Sequence, residues 1–506
     1  MMSATSQQES AGAARRYFKD AGILGLTEMA LRLNALVIIP VLTKHFGTQS
    51  YGIWAQVFVL SGLLAPALAW GLDSAAVRFL SGAPEDEIRH GIGTCLAFGC
   101  GACLVVGLAV SWLAPLVAQE LLGGANNAAF LPFAIGFTAT SLVSAFLLTF
   151  LRIFGWIRLL AVIRIVNALL DTVVPVLAVI LGLGLLTLVE LSLAADATVV
   201  LALVAIVHLR FGIGRPKLPL LREMLRYGTV LVPAGYGMVI MNLSDRLFLA
   251  HFRTMAEVGI YSLAYSLGYL GTTFFFNPLW AMYPVRATEL YRAGDQGALQ
   301  RLFVLSTKVA AGLMIPTIVG LTALGQPVLQ ALATVEFAAG ARLAGLIALA
   351  YTFSMFSSYF SVSLGLLGRQ HWLAVSMAGG TIVDLALNAL LIPRFGMAGA
   401  AWATLAAFSV QLALEAWQGS RAIRLVPDWA FMIRSVLAAA CMGAVLWLLP
   451  TSARATLYLS IPIGALSYVG ALIALRGLEA NDLRAALQVI GLDSGRAARF
   501  VRALGR

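Results

Sequence analysis

Apolar segments of about 20 residues recur along almost the whole chain, and short polar segments separate them. A helix needs about 20 apolar residues to cross the hydrocarbon core of a bilayer. The pattern therefore predicts an all-α polytopic membrane protein with about 14 transmembrane helices. The predicted spans are residues 21–43, 51–72, 91–118, 128–151, 158–182, 186–208, 227–250, 258–283, 303–324, 341–367, 372–393, 396–418, 431–450 and 455–475.

Charged and amide side chains interrupt the apolar pattern at the seventh span. Asn242, Asp245 and Arg246 have the spacing i, i+3 and i+4, so they share one face of the predicted helix. Ionisable groups inside a span are costly and usually face a bundle interior or a water-filled cavity. A polar break at Arg253–Glu257 then predicts that a new helix begins near Val258.

The composition supports the membrane assignment. The 506 residues are 60% apolar and only 11% charged, whereas soluble proteins carry about 25% charged residues. The net charge is +11, and 26 of the 34 lysines and arginines fall in segments that a cytoplasmic N-terminus would place inside, against five in outer loops. This asymmetry follows the positive-inside rule. It predicts that both termini are cytoplasmic, and it explains the basic charge without a nucleic-acid partner.

Two pairs of motifs indicate an internal duplication. His45-Phe46 followed by Gly52-Ile53-Trp54 resembles His251-Phe252 followed by Gly259-Ile260-Tyr261, and Asn167-Ala-Leu-Leu resembles Asn388-Ala-Leu-Leu. Repeats of this kind are common in transporters. The predicted organisation is an N-terminal tail (1–20), a six-helix lobe (21–208), a linker (209–226), a second six-helix lobe (227–418), two additional helices (419–475) and a basic tail (476–506).

Several of these motifs carry a family resemblance. The run from Asn388 through Pro393, Gly396 and Gly399 to Thr404 resembles the signature of Wzx-type polysaccharide exporters, which flip lipid-linked oligosaccharides. Asp245-Arg246 with Val258-Gly259-Ile260-Tyr261 resembles the same family, as does His45-Phe46-Gly47 through Tyr51-Gly52. The family belongs to the superfamily of multidrug, oligosaccharidyl-lipid and polysaccharide exporters.

The resemblance implies two lobes around a cationic cavity and transport by alternating access. The expected function is to move an undecaprenyl-diphosphate-linked oligosaccharide from the inner to the outer leaflet of the bacterial cytoplasmic membrane, for O-antigen, capsule or exopolysaccharide assembly. Its partners would be that lipid-linked substrate, membrane lipids, and the polysaccharide polymerase and chain-length machinery. Fourteen helices, rather than the twelve of many members, keep the lipid II flippases as an alternative.

The intramembrane polar residues are the candidate site. Arg32 could hold a phosphate bidentately, or it could only neutralise Glu28 one turn before it. Arg246 could bind substrate, pair with Asp245 or reach the interface. Two other spans carry polar stripes with the spacing i, i+3 and i+7, which line a cavity or join helices by hydrogen bonds: Arg164, Asn167 and Asp171, and Thr381, Asp384 and Asn388. The substrate-binding candidates are Arg32, Arg246, Arg164, Asn242 and Asn388, and the possible coupling or cavity acids are Glu28, Asp171, Asp196, Asp245 and Asp384.

The same residues argue against an enzyme. The predicted outer loops are short, the five histidines are scattered, and no P-loop is present. We therefore predict no catalytic residue, no metal site and no cofactor. A cation-coupled multidrug exporter stays an alternative, although its cavity would be mainly apolar or acidic, and a membrane enzyme acting on lipid-linked sugars is a more distant one.

Overall fold

The structure is a computed structural model that describes residues 4–423, 425–449 and 454–477. Within these ranges the side chains of residues 4–36, 230, 231, 233, 234, 422 and 454–456 are not described. The described residues contain no strand. They form two 3-10 helices, Ala125–Phe130 and Val335–Gly340, and fifteen α-helices: α1 (Ala4–Ala69), α2 (Leu72–Leu80), α3 (Glu85–Trp112), α4 (Ala114–Leu121), α5 (Leu131–Ile153), α6 (Ile157–Ile180), α7 (Leu185–Arg210), α8 (Leu218–Phe252), α9 (Met255–Arg292), α10 (Gln296–Leu332), α11 (Ala341–Leu366), α12 (Gln370–Phe395), α13 (Met397–Ala422), α14 (Trp429–Leu448) and α15 (Arg454–Ala474).

The helices confirm an all-α polytopic membrane protein. Eleven helical segments of the described residues are long and apolar enough to span a bilayer, and they coincide with the second to sixth and the ninth to fourteenth predicted spans. The seventh and eighth predicted spans lie within α8 and α9, which are 35 and 38 residues long. Five tyrosines, two serines and three threonines add polar side chains to α9. The first predicted span, 21–43, lies in α1, and the side chains of its residues 21–36 are not described.

Glycine and proline set several of the helix boundaries. The backbone of α1 is non-helical at Gly47, whose φ of 71° favours glycine, so the helix is interrupted between the first two predicted spans. The helix of the third predicted span begins and ends earlier than expected: α3 runs from Glu85 to Trp112, and Pro115 stands in the first turn of α4. A break does occur where it was predicted, but it is shorter than Arg253–Glu257, since α8 ends at Phe252 and α9 begins at Met255 rather than near Val258.

The chain divides into two compact units, Met1–Ser262 and Leu263–Arg506. The first has an apolar core on α2, α3, α5 and α7 that includes Leu72, Ile92, Phe146 and Val207. In the second unit, a core cluster joins α10, α14 and α15 through residues such as Ala311, Met442 and Leu472. The predicted lobe boundaries stay a prediction.

The segment predicted as a linker, residues 209–226, is partly helical. It contains the end of α7, a non-helical stretch over 211–217 and the first turns of α8. The non-helical stretch packs against α3: the Gly214 N–H donates to the Arg89 carbonyl at 2.9 Å, and His90 Nδ1 lies 2.8 Å from the Arg215 carbonyl oxygen. These bonds fix its path within the first unit. The predicted basic tail lies outside the described residues from position 478 onward.

Candidate functional site

A buried ion pair near the end of α8 is the centre of the candidate site in the first unit. Asp245 is 0% exposed and Arg246 is 6% exposed. Arg246 Nη1 lies 3.3 Å from Asp245 Oδ1 and donates to the Asn242 carbonyl at 2.7 Å. The Tyr261 hydroxyl donates to Asp245 Oδ2 at 2.5 Å, and the Arg246 guanidinium carbon lies 5.7 Å from the centre of the Tyr261 ring. Of the options for Arg246, the geometry matches pairing with Asp245.

This ion pair is stable in an apolar region because its charges are paired and hydrogen-bonded. Removing one partner of a buried pair leaves an uncompensated charge, which is strongly destabilising. Asn242 contributes through its backbone carbonyl, one turn before Arg246. The sequence pattern therefore predicted which residues share a face, and the structure adds Tyr261 of α9 as a further member of the cluster.

Two repeated glycines bring α1 and α9 into backbone contact beside this cluster. A Cβ atom at Gly52 would lie 1.9 Å from the Met255 carbonyl oxygen, and one at Gly259 would lie 2.2 Å from the Thr48 carbonyl oxygen. Neither position has room for a larger residue. Gly52 and Gly259 occupy corresponding positions in the two similar His-Phe motifs, and they contact each other within the first unit.

The predicted polar stripe on α6 faces an acid of α7. The carboxyl groups of Asp171 and Asp196 adjoin, and Asn167 lies beside Asp196. Asp196 of α7 thus has two polar neighbours on α6. Asp196 Oδ1 is buried with no hydrogen-bond partner among the described residues. Arg164 lies on α6 as well, two turns before Asp171, and its side chain is partly buried.

The corresponding stripe on α12 is buried in the second unit. Asp384 and Asn388 are each 0% exposed, and Asn388 Nδ2 donates to Asp384 Oδ2 at 3.0 Å. The Thr381 hydroxyl donates a hydrogen bond to the Met377 carbonyl of the same helix. Both members of the pair are therefore joined along one helix face, as their i, i+4 spacing indicated.

The sequence interpretation missed one acid, Glu415 of α13. Glu415 is 2% exposed and accepts hydrogen bonds from three helices. Ser376 Oγ of α12 donates to Oε1 at 2.8 Å, Ser357 Oγ of α11 donates to Oε2 at 2.6 Å, and Ser361 Oγ also donates to Oε2. Gln411 Nε2 completes the set at 3.2 Å. The i, i+4 spacings of Ser357–Ser361 and Gln411–Glu415 were the sequence signal that could have revealed it.

An apolar cavity of about 670 Å³ lies in the second unit among α9, α10, α14 and α15. Its lining is almost entirely aliphatic and aromatic, with Gly312 and Gly320 of α10 leaving space on one wall. The charged residue in the lining is Lys308, whose Nζ lies 2.8 Å from Asp428 Oδ2. An apolar wall with one cation suits an aliphatic chain better than a sugar.

Two of the predicted site residues, Arg32 and Glu28, belong to α1, and their side chains lie outside the described residues. In the part of the chain that the structure describes, no three histidine, cysteine or acidic side chains form a group that could hold a metal ion.

The sequence also matches a known family. A family model for polysaccharide biosynthesis proteins matches residues 17–288, more than half of the chain. The chain belongs to the polysaccharide biosynthesis protein family. This match confirms the resemblance drawn from the sequence motifs. A comparison with curated protein sequences finds no match.

The fold is similar to the folds of a solved lipid II flippase and of solved multidrug transporters. The lipid II flippase MurJ in an inward closed conformation is similar with a TM-score of 0.73 and 13% identity, over 89% of this chain and 98% of that chain. An inward-facing multidrug resistance MATE family transporter of the MOP superfamily gives 0.64 and 14%, over 79% and 98%. The MATE multidrug transporter DinF-BH gives 0.55 and 18%, over 81% and 96%.

Proposed function

We propose that this protein flips an undecaprenyl-diphosphate-linked oligosaccharide from the inner to the outer leaflet of the bacterial cytoplasmic membrane by alternating access. The product would supply surface polysaccharide assembly. Membership of the polysaccharide biosynthesis family supports the substrate class. The single structural observation that carries the proposal is the apolar cavity bounded by α10, α14 and α15, because a long isoprenoid chain needs such a surface whereas a free sugar does not.

The cavity supports a lipid substrate through its chemistry. Burying aliphatic surface against aliphatic and aromatic side chains is favourable in proportion to the area buried. Phe275, Val309, Leu321, Met442 and Leu446 are among the residues that line it. The two helices that close it, α14 and α15, lie beyond the twelve of many family members. We infer that they help to hold the isoprenoid chain.

The proposed headgroup ligands are the intramembrane cations and amides. A diphosphate crossing a layer of low dielectric constant needs fixed positive charge and hydrogen-bond donors. Arg32 would hold the diphosphate bidentately, with Arg164, Asn242, Arg246 and Asn388 as further contacts. Arg246 keeps its bond to Asp245 in this proposal, so it would offer a substrate only those donors that the pair leaves available.

Filling the cavity tests the proposal. A phenylalanine at Gly320 would extend into the cavity, because a Cβ atom added there has only ordinary contact with Met442, at 4.0 Å. The matched control is Gly101→Phe on α3, whose added Cβ would have no neighbour within 4 Å. In inverted vesicles with a labelled undecaprenyl-diphosphate oligosaccharide, we expect Gly320→Phe to slow flipping severalfold and Gly101→Phe to leave it unchanged. Equal flipping by both variants would remove the assigned role of the cavity.

The Arg32 variants test the headgroup contact separately. If Arg32 binds the diphosphate, Arg32→Ala abolishes flipping, and Arg32→Lys restores part of it because the charge remains while the bidentate fork is lost. Normal flipping by both variants would reduce Arg32 to the partner of Glu28.

A lipid II flippase is the second candidate, and the structural similarity to MurJ over nearly the whole chain favours it. The same vesicles loaded with labelled lipid II distinguish the two lipids. Movement of a cationic dye, with no movement of either lipid, would instead indicate a multidrug exporter.

A further inference from the structure

Glu415 is a buried carboxylate without a cationic partner. Its side chain is 2% exposed and receives only neutral donors: three serine hydroxyls and the Gln411 amide. No lysine, arginine or histidine among the described residues forms an ion pair with it, in contrast to Asp245, which pairs with Arg246. Burying an ionised carboxylate far from any positive charge is costly in an apolar region. A cation that binds there would remove this cost.

The surrounding atoms form an oxygen-rich shell. Ser357 and Ser361 of α11, Ser376 of α12 and Glu415 of α13 bring five side-chain oxygens together from three helices, with the Gln411 amide beside them. Hydroxyl groups can turn their lone pairs toward a cation as readily as they donate to the carboxylate. Oxygen ligands of this kind suit hard cations.

A second observation points to a missing ligand. Gln411 is 3% exposed, and its Oε1 atom is buried without a hydrogen-bond donor. A buried acceptor of this kind is rare unless it binds something. The Gln411 amide faces Glu415 with Nε2, and a turn of this amide by 180° would bring Oε1 there instead, so that a cation between the two groups would satisfy this oxygen and neutralise the carboxylate together.

The charge of the shell limits the ion to a monovalent one. It contains a single carboxylate, which neutralises one positive charge and leaves a divalent ion with a net charge in the apolar region. A proton alone would need only one acceptor, whereas the shell offers several converging oxygens. We propose that Glu415, with Ser357, Ser361, Ser376 and Gln411, forms a sodium-ion site between α11, α12 and α13.

The position of the site gives the ion a short route to one membrane face. Ser361 lies near the end of α11, Ser376 near the start of α12, and Glu415 near the end of α13. These helix ends belong to the same side of the membrane, and they are within about 11 Å of the three side chains at 1.5 Å per residue. The lysine and arginine distribution predicts that this side is cytoplasmic.

Occupancy would join three helices through one ion. Each helix supplies at least one ligand, so sodium would hold α11, α12 and α13 together and its release would loosen their contacts. The inference does not rest on the proposed lipid substrate, because ion binding can be measured without any lipid being moved.

The test is direct binding of radioactive ²²Na⁺ to the purified full-length protein in nanodiscs, in choline chloride at constant ionic strength and pH 8. Glu415→Gln keeps the shape of the side chain and removes its charge. The matched control is Glu190→Gln, the same substitution at an exposed position of α7. We expect Glu415→Gln to bind one sodium ion fewer per protein than wild type, and Glu190→Gln to bind as many as wild type.

A milder variant guards against a folding defect. Ser376→Ala keeps the carboxylate and removes one ligand, so we expect sodium affinity to fall about tenfold or more. Wild-type sodium binding by Glu415→Gln would overturn the proposal. If Glu415→Gln does not fold, wild-type sodium affinity in Ser376→Ala would also overturn the proposal.

An infrared measurement separates sodium from a proton. If wild type binds no sodium at pH 8 but shows the absorption of a protonated carboxyl group that Glu415→Gln lacks, Glu415 is a proton site and the sodium proposal is wrong. The sodium proposal is supported if excess unlabelled sodium displaces the bound ²²Na⁺ and choline does not.

Discussion

Replacing Gly52 with alanine tests the backbone contact between α1 and α9 in the first unit. The added Cβ atom would lie 1.9 Å from the Met255 carbonyl oxygen and 3.0 Å from the Gly259 nitrogen. Both are backbone atoms, so no side-chain rotation can relieve the clash. The two helix backbones must move apart instead.

The size of the effect follows from this distance. A carbon and a carbonyl oxygen approach to about 3.3 Å, so the backbones must separate locally by about 1.4 Å. Overpacking of this kind costs up to about 3 kcal/mol, and alanine in place of glycine in a helix offsets about 1 kcal/mol. We expect Gly52→Ala to lower the free energy of unfolding by about 2 kcal/mol.

Gly101→Ala on α3 is the matched control. Its Cβ atom would have no neighbour within 4 Å, so only the gain in helix propensity remains, and this variant should be as stable as wild type or more stable. Stability is measured as the fraction of protein that stays monodisperse in size-exclusion chromatography after heating across a range of temperatures. Reversible unfolding in bicelles then gives the free-energy difference.

A double variant gives a sharper test of the same contact. Gly259→Ala adds a Cβ atom 2.2 Å from the Thr48 carbonyl oxygen, in the same interface. Once one alanine has separated the backbones, the second costs less, so the losses of the two single variants should not add. If Gly52→Ala melts at the wild-type temperature, or if the two losses are strictly additive, the two glycines do not share a close contact and the reasoning fails.

Two further predictions concern polar contacts, one in each unit. Tyr261→Phe removes the hydroxyl that donates to buried Asp245, so we expect the free energy of unfolding to fall by about 1.5–3 kcal/mol; Tyr269→Phe is the control, and equal melting of the two variants would contradict this role. The hydrogen bond from Lys308 holds the pKa of Asp428 below its usual range, and Asp428 also caps α14. Its contribution to stability is therefore complete at neutral pH and is lost as the pH falls through the lowered pKa. Melting scans across acidic pH should show a smaller drop for Asp428→Asn than for wild type, and identical pH profiles would argue against the pair.

The sequence determined the class of the protein and most of its helices. Span length and apolar composition are sums over neighbouring residues, and the bilayer requires each span to satisfy its own backbone hydrogen bonds. The second to sixth and ninth to fourteenth spans, and the break before Met255, therefore followed from local pattern alone. Motifs such as Asp245-Arg246 and Gly259-Ile260-Tyr261 also sufficed to indicate the family, which the match over residues 17–288 confirms.

Only the tertiary structure decided which polar groups meet. The i, i+4 spacing placed Asp384 and Asn388 on one face, but it could not show that Asp171 and Asp196 adjoin from different helices. Such contacts depend on the rotation and crossing of whole helices, which are set by the packing of many side chains. The serines around Glu415 come from α11 and α12, separated from it along the chain by 39 to 58 residues. For the same reason the apolar cavity has no local sequence signature: its walls belong to helices that come together only when the chain folds.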